Sequence, residues 1–196
     1  MNVLKGLTTL RQICDSPLLL SDKKLTGESS AKIETLIEQI ENKRTDHKIL
    51  VFSQFVGMLD LIKKELVDRE ISFSYLTGQT TKRQKVIDEF QNNPDIRVFL
   101  ISLKAGGIGL NLTAADYVYL VDPWWNPAVE NQAIDRCHRI GQDKHIVAVR
   151  LICEGTVEEK ILKLQDSKRD LMNDLIKTDG AFVKSFSKEE LLRILG

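Results

Sequence analysis

Two short apolar runs, Ile49-Leu50-Val51-Phe52 and Val98-Phe99-Leu100-Ile101, constrain this chain more than any other feature. Each is continuous rather than alternating and rich in branched side chains, so each predicts a strand covered on both faces. Such strands need helices above and below them. Phe55, Leu59, Ile62 and Leu66 recur at helical spacing, as do Val86, Ile87 and Phe90 within 82–91, and a helix is expected from Pro127 to Ile140. Phe73–Leu76, Tyr117–Val121 and Ile146–Ile152 read as further strands. Strands alternating with helices in this rhythm imply crossover connections and a largely parallel sheet. The expected core is α/β and spans roughly 48–152.

Helices flank that core. Val3, Leu7, Leu10 and Ile13 or Cys14 predict a helix that Ser16-Pro17 stops, and a polar linker follows from Ser21 to Ser30. Ile33, Leu36, Ile37 and Ile40 predict a helix over 31–43 with Ser30 as its cap. Beyond the core, Val157, Ile161, Leu164, Leu171 and Leu175 stripe one long helix; Gly180 breaks it, and Lys188 to Leu195 forms a last one. The expected division is therefore 1–47 for lead-in helices and linker, 48–152 for the core, and 153–196 for a helical extension.

Composition narrows the class. With 28 Lys+Arg against 28 Asp+Glu the net charge is zero, which argues against a strongly basic nucleic-acid binder but leaves room for a local basic site. No apolar stretch reaches the roughly 18 residues of a membrane span, and the N-terminus lacks a secretory pattern. Cys14, Cys137 and Cys153 are odd in number and widely spaced, so neither a disulfide framework nor a zinc site is expected, and a reducing compartment is.

Ligands of open α/β sheets bind beyond the carboxyl ends of the strands. That rule selects Ser53-Gln54, Thr77 to Thr80, Ser102 to Thr113, and Asp122 to Asn126. Gly106, Gly107 and Gly109 in the third segment either let backbone N–H groups approach a phosphate or ribose or make a tight structural turn. Asn126 and Pro127 mark the start of the next helix and Gly141 its end. On it Gln132, Arg136 and Arg139 stand at i, i+4, i+7, a polar stripe that faces phosphate, acids or water, with Glu130 or Asp135 as available ion-pair partners. Trp124 and Trp125 either stack on a nucleic acid or partner, or cover the end of the sheet. No Gly-Lys-Ser/Thr phosphate loop, Asp-Glu pair after a strand, Ser/His/Asp order or HExxH occurs, so the chain reads as half of a site.

These pieces, in this order, resemble the C-terminal RecA-like lobe of Swi/Snf-type DNA-dependent ATPases, among the superfamily 2 helicases. Lys48 to Phe55 resembles motif IV; Thr77-Gly78-Gln79-Thr80 with Arg83 resembles the DNA-contacting block after it. Ser102 to Thr113 is similar to motif V, and Asp122-Pro-Trp-Trp-Asn-Pro127 to the short motif that follows. Gln132-Ala-Ile-Asp-Arg136-Cys-His-Arg139-Ile-Gly-Gln142 resembles motif VI, and Leu10 to Pro17 the helix leading into this lobe. Cys137, where alanine is common, and the doubled tryptophan depart from the family pattern.

The resemblance implies a RecA-like parallel sheet flanked by helices. It implies ATP with Mg2+, both held mainly by an N-terminal lobe that this chain lacks, and inactivity of the chain alone. Arg136 and Arg139 would be arginine fingers, Gln132 would orient them, and Gly107 and Gly109 would approach the nucleotide. Ser53, Gln54, Gly78, Thr80, Arg83, Ser102, Lys104, Trp125 and Asn126 would face duplex DNA, contacting its backbone. The implied partners are double-stranded DNA, the N-terminal lobe of the same polypeptide and proteins displaced from DNA, with no membrane. The short tail resembles compact bacterial members, which implies the nucleoid; a eukaryotic member would be nuclear. The competing readings are a free-standing α/β nucleotide- or protein-binding adaptor and a sequence-specific DNA binder.

Overall fold

The computed structural model describes residues 3–20, 30–106, 110–135, 145–172 and 186–195. Helix α1 (Val3–Asp15) ends at Ser16, whose hydroxyl caps a short 3-10 turn at Pro17–Leu19. The linker expected between Ser21 and Ser30 lies outside the described residues, apart from Ser30 itself. Helix α2 (Ala31–Lys43) begins where expected: the Ser30 hydroxyl accepts from the Ile33 amide at 3.3 Å and donates to the Asp15 carbonyl, so one side chain caps α2 and ties it to α1.

The core follows as β1 (Ile49–Ser53), α3 (Val56–Asp68), β2 (Phe73–Leu76), α4 (Arg83–Asn92), β3 (Val98–Ser102), the short α5 (Leu103–Gly106), β4 (Tyr117–Leu120), α6 (Pro127–Ile134) and β5 (Val147–Arg150). All five strands are parallel, in the order β2-β3-β1-β4-β5. The two continuous apolar runs are the central strand β1 and its inner neighbour β3: every residue of both is buried, in register from Ile49 opposite Val98 to Ser53 opposite Ser102. The expected strand at 146–152 is present as four edge residues, with three of its side chains exposed.

Successive side chains along a strand point to opposite faces. Leu50, Phe52, Phe99, Ile101, Val118 and Leu120 meet Ile87 and Phe90 of α4 and Ala133 of α6. Ile49, Val51, Val98, Leu100 and Tyr119 meet Leu36, Ile37 and Ile40 of α2 and Met58, Leu59 and Ile62 of α3. Lys48, just before β1, turns its ammonium onto the carbonyls of Phe90 and Asn93, neutralising the negative end of α4. Helices α7 (Val157–Met172) and α8 (Lys188–Leu195) join α1 in a third apolar cluster around Trp125. The expected continuation of α7 to Leu175 and the break at Gly180 lie outside the described residues. None of the described helices is long and apolar enough to cross a membrane.

Candidate functional site

The parallel strands open their carboxyl ends on one edge, and the four segments selected from the sequence converge there. Gly78 is exposed, and a Cβ built on it would meet nothing within 4 Å. Thr80 closes the turn after β2 by accepting from the Thr77 amide at 3.0 Å. Arg83 is half-buried and donates to the Ala105 carbonyl at 2.6 Å, which holds the turn of α5 against α4. Lys104 is exposed beside it. Ser102 is buried at the end of β3, and its hydroxyl has no partner among the described residues. A recess of about 390 Å³ opens between α4 and Leu110-Asn111, walled by Arg83 and Gln91.

Four more residues expected to face DNA also make contacts within the chain. Ser53 is fully buried and its hydroxyl accepts from the Phe55 amide at 3.1 Å. Gln54 accepts from Arg11 at 3.0 Å. Asn126 caps α6, accepting from the Ala128 amide at 2.9 Å. Trp125 is buried between Phe186 and the Arg11 guanidinium, which lies 5.4 Å from its ring. Trp124 is a core residue, edge-on to Phe52. Of the two readings open for the tryptophans, the structure takes the one in which both are covered.

Helix α6 begins as its Asn-Pro start requires but ends at Ile134, with Asp135 as its C-terminal cap, short of the Ile140 expected from the sequence. Gln132 is exposed on it. Glu130 is fully buried; it accepts from Arg150 at 2.7 Å and from the Trp124 amide at 2.8 Å, and burial pushes its carboxyl up against the pull of Arg150. Glu130 is therefore engaged by Arg150. Arg136, Arg139, Gly107 and Gly109, the stop expected at Gly141, and Cys137 lie outside the described residues.

Beneath the edge sits a charge cluster that periodicity alone did not single out. Arg11 and Lys32 are 2% and 5% exposed. Arg11 donates to Gln54 and to the Pro123 carbonyl, lies 3.9 Å from Asp122 and stacks between Phe55 and Trp125. Lys32 donates to Asp15 at 2.8 Å, to Glu158 at 2.6 Å and to the Val121 carbonyl at 2.8 Å. Arg11 stands one turn after Leu7 and Lys32 one turn before Leu36, so each is a cation placed on an apolar stripe. That misplacement is the signal that finds them.

Two cations face three buried carboxylates here: Asp15, Asp122 and Glu158. An unmatched charge in a dry interior neutralises by taking or losing a proton. Asp15 does so: burial, then the neighbouring Asp122, push its carboxyl up to about 8, against the pull of Lys32. Its Oδ2 has no partner among the described residues, which leaves that oxygen to carry the proton.

The sign of the pH effect follows. The unfolded chain releases this proton near 3.8 and the folded chain near 8. Folding therefore retains a proton throughout that window, and this contribution to stability is full below it, falls as pH rises through it and levels off above it. Urea midpoints measured from pH 4 to 9 are expected to show the decline, and Asp15→Asn to flatten it. An unchanged slope in that variant would assign the proton elsewhere.

Among the described residues no group of three His, Cys, Asp or Glu side chains is arranged to hold a metal ion.

Comparison with known proteins places this geometry. Residues 31–141 match the family described as helicase conserved C-terminal domain. An uncharacterised ATP-dependent helicase of Mycoplasma genitalium is 38% identical over 201 residues, covering 99% of this chain and 19% of its own length. The ATP-dependent helicase rhp16 of Schizosaccharomyces pombe is 43% identical over 170 residues, 83% of this chain and 20% of its own. The chain thus spans about a fifth of the length of these curated relatives. Among solved structures, the Sulfolobus solfataricus SWI2/SNF2 ATPase core in complex with double-stranded DNA is 36% identical with a TM-score of 0.78, over 98% of this chain and 41% of that one. The C-terminal domain of the same ATPase superposes with a TM-score of 0.74 at 36% identity, covering 98% of this chain and 80% of that one. Five parallel strands with this helical dressing, and relatives of this kind along nearly the whole chain, make it a member of the helicase C-terminal domain family in its SWI2/SNF2 branch.

Proposed function

We propose that this chain is the second motor lobe of an ATP-driven translocase on double-stranded DNA. Its carboxyl edge tracks the DNA backbone, and Arg136 and Arg139 reach ATP bound on an N-terminal lobe, with Gln132 orienting them and Gly107 and Gly109 beside the nucleotide. The Mg2+ travels with ATP on that other lobe. Guanidinium forks stabilise charge developing on the transferred phosphoryl group, and closing and opening of the two lobes moves the enzyme along the duplex. Proteins met on the DNA would be displaced, in the nucleoid or the nucleus.

The observation that carries this reading is the set on one sheet edge formed by exposed Gly78 and Lys104 with half-buried Thr80 and Arg83 between them. Gly78 needs no room for the chain's own packing, so its missing side chain favours close approach by another molecule. Ser102 offers an unspent hydroxyl behind them. Ser53, Gln54, Trp125 and Asn126 serve this edge indirectly, by fixing its loops. Contacts of this composition go to phosphate and sugar and position without reading sequence.

Joining an N-terminal lobe with a phosphate loop to this chain and adding duplex DNA is expected to give DNA-stimulated ATP turnover. Lys104→Ala is expected to reduce the slope of log affinity against log salt by about 1, as the loss of one phosphate contact does, equally for unrelated duplexes. A folded but inactive fusion, together with tight nucleotide binding by this chain alone, would support the adaptor reading instead.

A further inference from the structure

The fold brings together two cysteines that the sequence holds far apart. Cys14 closes α1, and Cys153 follows β5, 139 positions later. The Cys153 thiol donates to the Cys14 carbonyl at 3.2 Å, which sets its sulfur against the Cys14 backbone. Both are half-buried and unbridged, so a small oxidant has access to them. Their positions are fixed from several sides. The Cys153 amide donates to Glu158 at 2.9 Å, its carbonyl accepts from Thr156 at 2.6 Å, and Asp15, next to Cys14, is held by Lys32.

The groups facing the pair favour one thiolate shared against one thiol. The Cys14 thiol is pulled down to about 7, most by the Cys153 thiol when that S–H turns from the Cys14 carbonyl to the Cys14 sulfur, then by Thr156 and the Lys32 ammonium, against burial and Glu158. Hydrogen bonding to Cys14 and burial push Cys153 up. A thiolate is the form that attacks an oxidant.

We propose that Cys14 and Cys153 are a peroxide-reactive thiol pair that closes into an intramolecular disulfide, clasping the end of α1 to the segment between β5 and α7. The Cys14 thiolate attacks one peroxide oxygen and breaks the O–O bond, giving a Cys14 sulfenic acid and hydroxide. The Cys153 sulfur then attacks the Cys14 sulfur; the S–O bond breaks and the hydroxyl leaves with the Cys153 proton as water. The peroxide gains two electrons and the two thiols lose them. None of this depends on motor activity.

The test treats the 196-residue chain with hydrogen peroxide, alkylates remaining thiols and maps peptides by mass spectrometry. The expected product is a peptide pair joined through Cys14 and Cys153, two hydrogens lighter than the reduced pair and restored by reductant, in wild type and in Cys137→Ala alike. In Cys153→Ser, Cys14 is expected to stop at the sulfenic acid and be trapped by dimedone. Because the closed loop is long, the bridged protein is expected to melt at least about 5 °C higher. Alkylation of both cysteines after Cys137 has been oxidised, a bridge to Cys137 or between molecules, or a lower melting point on bridging would each overturn the proposal.

Discussion

Lys32→Ala is expected to lower the unfolding free energy by about 3–5 kcal/mol, the cost of removing one partner from a buried ion pair. Lys32 gives its three donors to Asp15, Glu158 and the Val121 carbonyl, in a space that water does not reach. Without it, Glu158 keeps its bond to the Cys153 amide but loses its only cation among the described residues. It must then take up a proton or drag water inside. The same lysine joins α2, the end of β4 and α7, so its loss loosens the seam between the sheet and the flanking helices. Urea unfolding followed by circular dichroism reads the change. The double variant Lys32→Met with Glu158→Gln is expected to recover most of the loss, because it removes the orphaned charge. A single variant within about 1 kcal/mol of wild type would mean that the cluster is solvated rather than dry.

That cluster also marks where reading the sequence reached its limit. The period of apolar residues found α2 to the residue and strands β1 and β3 to within one, because burial on both faces of a sheet leaves a continuous apolar signature. It also placed Asn126 and Pro127 at the start of α6, because a cap is local chemistry. Arg11 and Lys32 were harder. Their place on an apolar stripe marks them as unusual but not their partners: of the three carboxylates that the fold sets around them, Asp122 and Glu158 are far away in sequence. The same long-range closure turned Gln54 and Trp125 inward, towards Arg11. The segments that motif resemblance selected do meet at the carboxyl ends of the strands; which of their side chains face outward was decided by contacts that spacing does not encode. Cys14 and Cys153 make the point again, since their separation argued against any pairing.

Arg139→Ala, introduced into the DNA-stimulated fusion, is expected to lower kcat for ATP by about 10³–10⁵, the range that arginine fingers contribute in phosphoryl transfer. In the sequence Gln132, Arg136 and Arg139 stand at i, i+4, i+7, although α6 itself ends at Ile134. Glu130 is buried, with Arg150 and the Trp124 amide as its partners. Gln132, at the head of the stripe, is exposed. A guanidinium that acts only on the transferring phosphate should leave duplex affinity within about twofold and the melting temperature unchanged, so the loss would appear in kcat rather than in binding. Arg139→Lys should rescue little, because an ammonium cannot present the planar fork that grips two phosphate oxygens. Arg136→Ala should show the same pattern, and the double variant should cost little more than either alone if both arginines act on one developing charge. Unimpaired turnover in both single variants would leave the stripe as solvated surface and remove the basis for assigning this lobe a part in hydrolysis.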